Sequence, residues 1–406
     1  MKIKFYFPSI LLILLFHVSF ISFPYWDGYN NFKYLIVAFV GIFLVFNFRI
    51  VLNKKYLPIN FVLILYLLFV MISSYINKGK ISYRNIFLSS IIFAIVIIEF
   101  FLMCEYYSIK EKLKEMINIL FYLFLFYMIV TDVLLLFKPT LYIEHDMYYL
   151  IGNKFSVSYF HLQYLIIYLI RCKFYNNNDI NSKIMFFIYC LITFVICMKI
   201  ECSTGIIGLV FFVVFYCINN VNTKLLKKPM LILFTLVFSS SFFLLFSDIV
   251  KNKYVEYFIE TILNEDITLT GRMTIYKNLS KVISGHLIFG YGYGSSYEVM
   301  KNLIGAPNTQ NGLYECLFQS GIIATLLMLV LIYLVFKYSQ NSKNKSLPII
   351  MIYIFAVLSS VEITLGTTFL AWLALSLVYT DVSDKEFAER KIKLKITHYR
   401  LKFTKR

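Results

Sequence analysis

The chain has 406 residues, 60% hydrophobic and 19% aromatic, with a net charge of +17 and a mean hydropathy of +0.75. A soluble domain is about 45–50% apolar, so this excess excludes a single core in water; runs of about 16–25 apolar residues match bilayer-crossing helices, not the roughly 10-residue alternating segments of a β-barrel. The basic balance does not point to nucleic acid, because most Lys and Arg sit in short loops and the tail, where they set membrane topology.

MKIK and the apolar run from Ile10 to Ile21 resemble a signal peptide, but the chain continues SFPYWDGY without an A-x-A-like cleavage site, so the run is read as a first span. Twelve spans follow from the hydropathy, at 8–23, 32–50, 57–76, 85–104, 116–137, 157–173, 184–199, 203–219, 229–249, 313–336, 347–364 and 366–381. The prediction is an all-α polytopic membrane protein of about 12 transmembrane helices. Nine lie in 1–249, a large extracytoplasmic loop occupies 250–312, three more helices lie in 313–381, and 382–406 is a basic tail. With the N-terminus inside and the spans alternating, 26 of the 39 Lys and Arg fall in cytoplasmic segments. This bias places both termini in the cytoplasm. One predicted external loop, NKGKISYR at 77–84, runs against it.

Two external loops stand out. The first is KPTLYIEHDMYYLIGNKFS at 138–156, with the acidic trio Glu144, His145 and Asp146. The second, 250–312, is too long to be a plain connection. From Met273 to Ser284 its apolar residues recur at helical spacing, which predicts a short amphipathic helix on the outer membrane surface, ending near Gly285. Arg272 opens this helix behind Thr268 and Thr270. A guanidinium beside a helix N-terminus favours a phosphate, although an Arg here also suits a lipid headgroup. Next comes GYGYGSS, with Gly290, Gly292 and Gly294 in alternation; it lacks the GK[ST] of a P-loop. Such glycines let backbone approach a ligand closely, or form a flexible loop.

NTQNGLYECLFQSGI (308–322) opens the tenth span with Gln310, Asn311 and Glu315. Asn311 and Glu315 are i, i+4 and share a face. A carboxylate entering a bilayer is a functional candidate, and Asp132 and Glu362 also sit near outer span ends. The same groups also suit helix pairing by hydrogen bonds. Among the histidines (His17, His145, His161, His286, His398), the second, third and fourth are placed to exchange protons outside. The seven cysteines form no CxxC pair and read as small apolar fillers.

The order of these blocks resembles the O-antigen polymerase and ligase superfamily, in particular the Wzy-type repeat-unit polymerases of capsular and O-polysaccharides. The resemblance rests on Gly271-Arg272, IFGYGYG at 288–294, NTQNGLYECLFQSGII at 308–323, GNKFSVSY at 152–159 and CSTGIIG at 202–208. It implies a glycosyltransferase in the bacterial inner (cytoplasmic) membrane that joins undecaprenyl-diphosphate-linked repeat units at the outer face. Glycan-bearing carriers and membrane lipids would be its partners, with a chain-length regulator protein, and no nucleic acid. The ligase branch carries a His where Gln310 stands, which favours polymerase over ligase. Many members carry an Arg where Thr204 stands, so a second cation is sought at Lys154 or Lys199. The residues implied are Arg272, then Glu315 or His161 as base. Lys154, Asn153, Gly292, Gly294, Gln310 and Asn311 would bind substrate. No cofactor or metal is expected, since the external loops show neither a DxD pair nor a ligand cluster. A ligase and a flippase for the same lipid-linked unit are the alternatives.

Overall fold

The computed structural model describes residues 7–21, 23, 28–50, 53–81, 85–137, 142–144, 146–175, 179–245, 272–340, 342 and 347–382. Its helices are α1 (Phe7–Phe20), α2 (Tyr29–Phe46), α3 (Leu57–Ile76), α4 (Ile86–Ile109), α5 (Leu113–Phe137), α6 (Lys154–Phe174), α7 (Ile180–Lys199), α8 (Ser203–Val221), α9 (Pro229–Leu245), α10 (Arg272–Ile283), α11 (Ser296–Ile304), α12 (Gly312–Gln340), α13 (Leu347–Leu358) and α14 (Thr367–Tyr379). Every predicted span overlaps a helix of its own. Among them α3, α4, α5, α7, α8 and α12 are long and apolar enough to cross a membrane, while α1, α2, α9, α13 and α14 hold shorter apolar stretches. The chain is a helical, multi-pass type of membrane protein. The large loop 250–312 is described only from Arg272 onward, and Thr268, Thr270, Gly271, His145, His398 and the basic tail lie outside the described residues.

The core lies around α13 and α14. From Leu347 to Ala356 and from Phe369 to Tyr379 every residue is buried. Helices apolar on all sides need cover on all sides, and α6, α8 and α9 surround α13 while α1, α4 and α12 surround α14. The outer helices leave large apolar side chains uncovered, such as Leu35, Ile42 and Phe46 on α2 and Phe187, Leu191 and Val195 on α7. Apolar faces of this extent mark contact with lipid.

Polar contacts tie the helix ends into two sets. In one, Lys55 and Tyr56 meet Asp381, Tyr338 meets Asp381, Lys227 donates to Ser342 O and Lys114 lies over Tyr175. In the other, Asn77 donates to Gly290 O, Lys154 to Glu201 O, Thr368 to Ser19 O and Arg272 pairs with Glu362. The second set includes the loop at 77–84 whose lysines run against the charge bias. Asn77 bonds to the glycine segment and accepts from Lys80 (3.1 Å), so the described part of this loop, residues 77–81, is docked on that end of the bundle.

Three features differ from the sequence reading. The loop at 138–156 holds a small antiparallel sheet, Tyr142–Glu144, Asp146–Tyr149 and Gly152–Asn153, in the order β1-β2-β3; its strands are too short to leave an alternation. Helix α11 was not anticipated. Helix α10 forms where the spacing puts it, but its apolar face meets protein: Ile275, Leu279 and Ile283 cluster with Met300 of α11 and Phe318 of α12.

Helix α12 is broken at Gly321, with φ +75° and ψ 179°. A break frees backbone groups that must find partners where water is scarce. The glycine segment supplies them: Tyr291 and Gly292 donate N–H to Phe318 O and Gln319 O (2.9 and 2.8 Å), and Ile322 donates to Leu287 O (2.8 Å). A Cβ on Gly290 would lie 2.6 Å from the Phe318 carbonyl oxygen, and one on Gly321 2.1 Å from that of Ile288. Ser73 of α3 and Asn77 just after it hold the same junction through Gln319 O and Gly290 O.

Candidate functional site

Helix α13 has 12 residues and α14 has 13. At 1.5 Å per residue each reaches about 20 Å, short of the roughly 30 Å hydrocarbon thickness. The apolar run that predicted a span to 364 therefore stops early as a helix. Residues 359–366 run on without helix, and the space left at this end of the bundle is a cavity of about 580 Å³. Loop backbone at such depth is tolerated where it lines a polar cavity and its carbonyls are satisfied. Gly312 N donates to Ser359 O (2.8 Å) and Tyr276 Oη to Ser360 O (2.8 Å).

Four predicted residues meet in the cavity lining: Asn153, Lys154, Arg272 and Gln310. Asn153 caps α6, its Oδ1 accepting from Ser156 N (3.0 Å) and Ser156 Oγ (3.1 Å). The positive end of α6 thus opens on the cavity. Lys154, the first residue of α6, donates to Glu201 O at 3.1 Å. Arg272 is 8% exposed. Its Nε donates to Gln310 Oε1 (2.9 Å) and its Nη2 to Glu362 Oε1 (2.8 Å), which also pairs the charges. Gln310 takes this position with φ +52°, a left-handed conformation that costs a non-glycine residue on the order of 1 kcal/mol. The same Tyr276 Oη lies 2.9 Å from Gln310 O, so its single proton is shared between the Ser360 and Gln310 carbonyls and ties the strained turn to the 359–366 loop.

The other candidates lie elsewhere. Glu315 is buried and accepts from Thr309 Oγ1 (2.7 Å), Thr309 N (3.3 Å), Gln319 Nε2 (2.6 Å) and Ser296 Oγ. It borders a separate cavity of about 210 Å³ with Gly294 and fastens α11 and the 308–311 turn to α12. His161 is buried and pairs with Asp132 at 3.0 Å, joining α6 to α5; it is not among the residues lining the arginine cavity. Asn311 caps α12, accepting from Tyr314 N (3.2 Å) and donating to Ser240 O (2.8 Å). A Cβ on Gly292 would meet Ile86 Cδ1 at 2.7 Å, so that glycine serves helix packing. Lys199, offered as a second cation, is likewise absent from the cavity lining, whereas Lys154 is present.

Sequence reasoning missed Tyr159 and Gln163, one turn apart on α6. Gln163 accepts from Trp372 Nε1 (2.8 Å) and donates to Tyr159 O (3.0 Å), so its amide is held at the cavity wall. The buried Tyr159 hydroxyl has no hydrogen-bond partner among the described residues. In the sequence both looked like parts of a span. Glu362 was marked only as a carboxylate near a span end; its pairing with Arg272 joins residues 90 apart and has no local signal.

Among the described residues the cavity is lined by two cations and one carboxylate, with amides and hydroxyls around them. That set can bind a polyanion and leave a proton acceptor beside it. Residues 188–329 match the family model Wzy_C, described as O-antigen ligase. The match covers Arg272, the glycine segment and Gln310, and agrees with the resemblance to the O-antigen polymerase and ligase superfamily. It supports glycosyl transfer of the ligase or polymerase kind in general and does not separate the two. No curated protein and no solved structure matches the chain.

Proposed function

We propose that the protein is a polysaccharide polymerase, joining undecaprenyl-diphosphate-linked oligosaccharide repeat units at the outer face of the bacterial cytoplasmic membrane. The observation that carries this reading is the juxtaposition of Arg272, Lys154 and the capped N-terminus of α6 around one cavity. The reaction breaks an anomeric C–O bond to a diphosphate. Diphosphate already leaves well, so the main need is to stabilise the negative charge that grows on it. Fixed cations and N–H groups in a partly dry site do this without reorganising. Arg272 supplies a bidentate fork and Lys154 a point charge. The cavity is wide enough for a sugar next to the diphosphate, and amide groups such as those of Gln163 and Asn308 line it.

The test uses surface glycan separated on a gel. Arg272→Ala in a strain lacking the native copy is expected to reduce long chains by about a hundredfold or more, as removal of one charge-stabilising donor does elsewhere. An undiminished ladder removes Arg272 from the mechanism. Deletion of the protein separates polymerase from ligase: the polymerase reading expects single repeat units at the surface, whereas long carrier-linked polymer left in the membrane establishes the ligase instead.

A further inference from the structure

Resting on that reading, we propose that Glu362 is the general base for the acceptor hydroxyl, and that the arriving diphosphate releases it by taking Arg272 away from it. Glu362 is the one carboxylate among the described residues lining the cavity, and no histidine or cysteine is among them. Asn153, Gln163, Asn308 and Gln310 offer amides, which do not accept protons at neutral pH, and Lys154 and Arg272 enter as cations. The Glu362 side chain is 14% exposed, so it is held at the cavity wall with limited water.

Its ion pair explains the order of events. A carboxylate beside a guanidinium at 2.8 Å is ionised but a poor base, because the cation favours the charged form. A diphosphate carries more charge on more oxygens and suits the fork of an arginine better. Once Arg272 turns to the diphosphate, Glu362 stays ionised in a half-dry site without that cation, and its basicity rises. Gln310 holds the Nε of Arg272 at 2.9 Å; because the guanidinium is a rigid plane, turning it toward the diphosphate loosens this bond together with the one to Glu362.

The step balances as follows. The acceptor O–H passes its proton to Glu362. The oxygen's electron pair forms the bond to the anomeric carbon. The bond from that carbon to the diphosphate oxygen breaks, and its electrons leave on the diphosphate beside Arg272 and Lys154. Glu362 then gives its proton to the departing diphosphate or to water and returns to Arg272. Water entering before the donor finds the carboxylate engaged, which limits wasteful hydrolysis.

The experiment compares full-length wild-type, Glu362→Gln and Arg272→Ala proteins, in cells for chain elongation and in lipid nanodiscs for binding of undecaprenyl diphosphate. E362Q is expected to bind undecaprenyl diphosphate at least as tightly as wild type, because its competitor is gone, while elongation falls about a hundredfold or more. E362Q that elongates like wild type overturns the proposal. So does E362Q that loses binding together with elongation, since the pair is then only a clasp for α10. Where E362Q does not accumulate, Glu362→Asp and Glu362→Asn, which match each other in shape, decide: E362D elongates and E362N does not, and equal elongation by both overturns the base. Wild-type binding by R272A takes the diphosphate site away from Arg272, and with it the observation on which the proposed function rests, whatever Glu362 does.

Discussion

Asn153 does two things that one substitution separates. Its Oδ1 caps α6 by accepting from Ser156 N, and it lines the cavity beside Lys154. Aspartate caps a helix about as well as asparagine and interacts favourably with the helix dipole. Asn153→Asp is therefore expected to leave thermal unfolding of the detergent-solubilised protein within about 2 °C of wild type. The added charge faces the proposed diphosphate and repels it, so chain elongation falls on the order of tenfold. A long-chain ladder equal to wild type from this variant would show that the diphosphate does not sit at the α6 terminus. At this scale the sequence was only partly legible. Arg272 and Gln310 were found because polar residues are conspicuous in an apolar chain, and Asn153 and Lys154 through the resemblance of GNKFSVSY to a family block. Their grouping was not, because it depends on contacts spanning 38 and 90 residues, Arg272 to Gln310 and Arg272 to Glu362. Glu315 was as conspicuous as Arg272, yet four donors surround it.

Where helices stop decides where the cavity is, and stopping points leave weak traces in this sequence. The positions of helices were readable, because apolar runs of bilayer length have few other uses, and α10 was readable from its 3.6-residue spacing. The end of α13 at Leu358 was not: Val361 and Ile363 continue the apolar run, and only the loop's bonds to Gly312 and Tyr276 show that it has left the helix. The break in α12 was equally hidden, since a glycine within a helical pattern is ordinarily tolerated. Its consequence is testable. Gly321 has φ +75°, and any Cβ there lies 2.1 Å from the carbonyl oxygen of Ile288. Gly321→Ala is expected to lose about 3 kcal/mol or more, because both backbone strain and a backbone clash must be relieved. Gly285 is the control: a Cβ there meets nothing within 4 Å, so Gly285→Ala leaves stability unchanged. Unfolding of the purified variants measures both, and G321A as stable as G285A would mean that α12 is not broken in the folded protein.

For the whole molecule, the two sets of helix ends and the charge pattern make one joint prediction about orientation. The two ends of α3, of α6 and of α14 fall one in the set around Asp381 and Ser342 and one in the set around Glu362 and Gly290. The first set carries the lysine clusters at 110–114 and 224–228, and the second holds the cavity. An excess of Lys and Arg in short loops belongs on the cytoplasmic side, so the Asp381 end is expected inside and the cavity outside, where lipid-linked glycans are presented. The exposed positions Lys301 on α11 and Lys224 before α9 report on the two ends. A cysteine at 301 is expected to react with a membrane-impermeant maleimide in intact cells, and one at 224 only after the membrane is opened, each read above the signal of the native cysteines. The opposite pattern would put Arg272 and the whole cavity in the cytosol. Donor glycans would then have to be used before they cross the membrane, and the polymerase reading would give way to one in which the cavity meets its phosphate ligand inside the cell.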